Sequence, residues 1–144
     1  MRRTALLLIA VSGTLVLGVS FFANLAEAIP AFQTQFYKKY LTDHENADYV
    51  NVVKKEAKCW LCHQGKDRKQ HNPYGIHLTE LLTKKDIKDV EKIQKALDTV
   101  AEMHSDPEDE KSKTYGQMIA DGELPGGSVE DCKKEPEEES KETK

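Results

Sequence analysis

The sequence predicts an all-α fold, one small domain of helices packed around a single covalently held prosthetic group. Three observations predict it. Apolar residues recur at helical spacing in several segments and no strand alternation of any length is visible. The run Cys59-Trp60-Leu61-Cys62-His63 is C-x-x-C-H, the spacing of covalent c-type haem attachment. The chain of 144 residues, 38% hydrophobic and 32% charged, is lean in apolar side chains, and a porphyrin supplies an apolar disc for short helices to pack on.

The motif has a chemical logic. Two thiols three residues apart lie one helical turn from each other and can reach the two vinyl groups of one porphyrin. The next residue, His63, then offers its imidazole to the iron as proximal ligand. A bare C-x-x-C also occurs in zinc and redox sites, but zinc needs a second ligand pair at matching spacing, and none is visible.

The elements follow in order. Met1-Arg2-Arg3 is a short positive segment, Ala5 to Ala26 carries no charge, and Ala26-Glu27-Ala28 has the form of an export cleavage box. We expect a signal peptide over 1–28, cleaved after Ala28, and export to the periplasm or an equivalent compartment. The apolar stretch is also long enough for an uncleaved anchor, and Arg2-Arg3 permits a twin-arginine signal; the cleavage box favours the first reading. Cleavage would remove Arg2, Arg3 and Glu27, moving the net charge from −4 to −5, with 19 basic and 24 acidic residues left. Such acidity argues against nucleic acid as a partner.

The expected haem domain spans 29–132. Residues 31–42 read as an amphipathic helix with Phe32, Phe36 and Tyr40 in one stripe. Residues 47–58 form a short helix leading into the haem motif. Residues 64–76 read as a basic loop with turn residues at Asn72-Pro73 and Gly75. Thr83-Lys84-Lys85-Asp86 opens a long helix with apolar face Ile87, Val90, Ile93, Leu97, Val100 and Ala101. Ser105-Asp106-Pro107-Glu108-Asp109-Glu110 reads as the start of a last helix, which carries Tyr115, Met118 and Ile119 and ends at Gly122. Residues 133–144 read as a charged disordered tail.

The sixth iron ligand has several candidates: Met103, Met118, His71, His77, His104, His44 and Cys132. Met118 on an apolar helix face is more often core, and His71 and His77 follow His63 closely in sequence. Cys132 is the odd cysteine of an exported chain, so either an intermolecular disulfide, an idle thiol or an iron ligand accounts for it. The proline near the last helix follows Leu124, and leucine cannot ligate.

The run Cys59-Trp-Leu-Cys-His-Gln-Gly-Lys, with Asn72-Pro73-Tyr74-Gly75 and Gly122-Glu-Leu-Pro-Gly-Gly127, resembles small monohaem class I-like cytochromes c of anaerobic ammonium-oxidising bacteria. In particular it resembles a subunit of a heterodimeric complex with histidine/cysteine haem ligation. The resemblance implies one haem c bound at Cys59 and Cys62, His63 proximal, Cys132 distal, and a related small cytochrome as partner. A thiolate ligand favours ferric iron, so a low potential is expected, with electron transfer or binding of NO or CO as the function. A conventional His/Met electron carrier and a haem subunit of a larger redox enzyme are the alternatives. No catalytic acid/base constellation is visible, so the chain itself is not expected to be an enzyme.

Overall fold

The computed structural model describes residues 30–136, most of them helical. Helix α1 (Pro30–Phe36) continues through a π-helical turn, Tyr37–Leu41. Its aromatic stripe is core packing: Phe36 is buried, and its ring lies 4.9 Å from that of Tyr40. Helix α2 (Ala47–Asn51) begins where the Asn46 side chain accepts from Tyr49 N. It runs on through a π-helical segment, Val52–Ala57, into the 3-10 turn Lys58–Leu61 that carries the first cysteine.

Strands β1 (His63–Gln64) and β2 (Gln70–His71) form a two-residue antiparallel pair with His63 opposite His71. The expected loop over 64–76 is therefore shorter than the sequence indicated. Helix α3 (Pro73–Leu81) starts inside it, with Asn72 as N-cap and Pro73 at the first helical position. The Asn-Pro pair serves as a helix start here rather than a turn. Gly75 lies inside α3 because the helix crosses the haem motif closely: a Cβ there would lie 1.9 Å from the Cys62 carbonyl oxygen.

The Thr83/Asp86 capping box forms, yet it opens only the 3-10 turn Lys84–Lys88. The long helix, α4 (Val90–Ala101), begins one step later at an Asp89 cap that accepts from Lys92 N. The apolar face is accordingly narrower than expected. Ile93, Ala96, Leu97 and Val100 are buried, while Ile87 and Val90 are 39% and 50% exposed.

No helix starts at Ser105. The Asp106 carboxylate accepts from Glu108 N and that of Asp109 from Lys111 N, so side chains satisfy the local backbone in turns instead. Ser105 N donates to Lys113 O, and His104 pairs with Thr114, which pins the loop at both ends. Helix α5 (Tyr115–Ala120) starts after Thr114, in a capping box with Gln117. It ends at Gly122, whose φ of 79° is the left-handed conformation expected of it.

The segment bearing Cys132 is a short helix, α6 (Val129–Lys133), capped by Ser128. Helices α1, α3 and α5 pack on α4, and α6 packs on the 3-10 turn and β1. Phe36, Leu61, Tyr74, Ile93, Leu97 and Val100 occupy the centre of the core. The expected signal peptide and residues 137–144 of the expected tail lie outside the described residues.

Candidate haem-attachment site

The haem motif occupies a tight turn between α2 and the strand pair. Lys58 enters it at φ 45°, outside the ordinary helical region, and this breaks the preceding helix. The turn closes with Cys62 N donating to Cys59 O at 3.3 Å. His63 then opens β1.

Cys59, Cys62 and His63 line one recess of about 90 Å³, together with Phe32, Gln33, Lys58 and Leu61. The three motif residues are thus brought to one place, and Phe32 at the end of the aromatic stripe faces the same space. His63 Nδ1 lies 3.3 Å from the Gln70 carbonyl, to which it donates as the Nδ1–H tautomer, leaving Nε2 free to ligate. The His71 ring stacks beside it at 4.7 Å. Burial, then the neighbouring His63, lowers the pKa of His71. Burial, then the neighbouring Cys59 and Cys132, pushes the Cys62 thiol up to about 12. The Arg68 guanidinium donates to Cys59 Sγ at 3.4 Å.

The donor set fits a c-type haem: two thiols and an imidazole with one nitrogen tied back by a carbonyl. The volume sets a limit. A recess of this size lies well below the roughly 300 Å³ at which pockets begin to enclose a small ligand.

Cys132, 69 residues after His63 in sequence, is brought back to the same turn. Its carbonyl accepts from Gly65 N at 2.9 Å. The sulfur, however, is turned away from the recess lining. It donates to Gly126 O at 3.1 Å and faces the Asn72 amide at 3.6 Å. Burial raises the pKa of the thiol. Cys132 is buried in a capped helix that packs on the turn.

The other candidate ligands are dispersed. His77, Met103 and His104 line a separate recess of about 330 Å³ with Pro107 and Glu110. His104 Nδ1 lies 2.6 Å from Ser112 O. His44 Nε2 lies 2.8 Å from Ile119 O. Met118 packs against the core. None of these side chains lines the Cys59/Cys62/His63 recess.

Sequence reasoning missed Asn72, which is fully buried and bonds the Trp60 and Leu61 carbonyls of the C-x-x-C-H turn. The signal was present: an asparagine before proline, three residues ahead of a glycine, is a helix cap as well as a turn.

No family model, curated protein or solved structure matches the chain.

Proposed function

We propose that the chain is an exported monohaem c-type cytochrome that transfers electrons, with class I-like helices, thioether bonds at Cys59 and Cys62, and His63 as proximal ligand. One observation carries the reading: a single recess gathers both thiols and an imidazole whose Nδ1 is engaged by the Gln70 carbonyl. Haem bound there supplies a one-electron ferric/ferrous couple. Cys59 and Cys62 tether it, Phe32 and Leu61 supply apolar contact, and His63 offers Nε2.

The identity of the sixth ligand bears on the potential. A haem held by Cys59, Cys62 and His63 would leave its sixth ligand to be supplied from elsewhere, and a thiolate there would favour the ferric form. Ligation by Cys132, which the resemblance implies, would exchange the contacts of its sulfur with Gly126 O and the Asn72 amide for the iron. Binding of NO or CO at the sixth position and pairing with a related small cytochrome belong to the same reading.

Redox titration with electron paramagnetic resonance of the ferric protein tests it. The wild type should titrate as one haem, with a midpoint below that of His/Met cytochromes. The Cys132→Ala protein should lose the wild-type low-spin ferric signal. An unchanged low-spin signal and potential in Cys132→Ala would overturn histidine/cysteine ligation.

A further inference from the structure

We propose that Asn72 is the positioning residue of the haem-attachment turn, a proposal that rests on the reading of Cys59, Cys62 and His63 given above. Asn72 makes contacts that no other side chain among the described residues duplicates. Its Nδ2 donates to Trp60 O at 2.9 Å and to Leu61 O at 3.2 Å. Its backbone N donates to Cys62 O at 3.2 Å. Three consecutive carbonyls at the end of a 3-10 turn thus find partners in one residue, where a turn end ordinarily leaves them orphaned. The Asn72 Oδ1 accepts from Gly75 N at 2.9 Å and starts α3.

The consequence is geometric. Asn72 directly follows β2, whose Gln70 carbonyl orients the His63 ring. Residues 60–63 and 70–72 are thereby one unit: the same short segment fixes the end of the turn bearing Cys62 and the direction of the imidazole. The surroundings leave no slack. A Cβ at Gly126 would lie 2.0 Å from Asn72 Nδ2, so the 124–127 segment closes on the amide from behind. The position needs two donated hydrogen bonds and one accepted within a short reach, which is the valence of a primary amide on one methylene.

Asn72→Ser and Asn72→Asp separate the clamp from the cap. Both replacements are good N-caps and keep an acceptor for Gly75 N. Neither can donate to the Trp60 and Leu61 carbonyls as the amide does, and aspartate adds repulsion. The full chain is prepared without haem, and site-resolved alkylation by iodoacetamide is followed at each cysteine. Asn72→Ser should raise the rate at Cys62 roughly tenfold, the ratio that one or two lost hydrogen bonds correspond to, and Asn72→Asp should raise it less, because its carboxylate disfavours the reacting thiolate. The rate at Cys59 and the helical circular dichroism should not change.

In the haem-loaded chain, the same variants should shift the ferric resonance signal that reports the His63–iron geometry. Wild-type rates at all three cysteines overturn the proposal. So does a rise shared equally by Cys59, which marks general loosening. A wild-type chain that takes up no haem, together with the faster Cys62 reaction in the variants, ends the haem reading and leaves the clamp standing. Haem uptake without that faster reaction does the reverse.

Discussion

At the residue scale, the core tyrosines are unequal. Tyr40 OH donates to Leu97 O, whereas the hydroxyls of Tyr49 and Tyr74 are buried without a hydrogen-bond partner among the described residues. An orphaned buried hydroxyl carries its desolvation cost with no return, so removing it is neutral or favourable. Tyr74→Phe should therefore raise stability or leave it within about 1 kcal/mol in denaturant titration of the haem-free chain. A clear loss would show that the phenol has a partner. The grouping of Cys59, Cys62 and His63 was legible because they lie within five consecutive positions, and the structure brings them to one recess. The Cys132 environment was not, because its partners Asn72 and Gly126 come from two separate segments.

At the element scale, local chemistry explains both the agreement and the misses. The Thr83/Asp86 box was legible and forms, but its length was not, since Asp89 offers a competing cap three residues on. Ser105–Glu110 had the residues of a helix start, yet Asp106 and Asp109 each bond a backbone N–H two residues ahead, which holds turns. Asp86 also gives a pH prediction. The Lys92 ammonium at 2.8 Å, then the Thr83 backbone and hydroxyl, lower its pKa from 3.8 to about 2. A carboxylate whose folded pKa is depressed stabilises above its unfolded value and loses that stability as pH falls through the folded one. Melting temperature should thus decline between pH 3.8 and about 2, and Asp86→Asn should flatten that part of the profile. An unchanged slope in the variant contradicts the assignment.

At the scale of the whole molecule, one long helix organises the core. Leu97 on α4 is 2% exposed and lies among side chains of the same cluster as Phe36 and Tyr74. Truncating it leaves a cavity, so Leu97→Ala should cost ~2–5 kcal/mol by denaturant unfolding. The helical class of the fold was legible from periodicity, since the buried positions of α4 repeat every three to four residues. The packing of α6 behind the haem turn was not, because five residues carry no periodic signal and only the tertiary contacts with Gly65 and Asn72 define their place.

The mass of the full chain, produced in a host with the c-type maturation machinery and measured under denaturing conditions, tests the central claim most directly. The account predicts one haem per chain that survives denaturation, and none in a Cys59→Ser/Cys62→Ser double variant. A wild-type chain without covalent haem, or a double variant that retains it, would contradict the account.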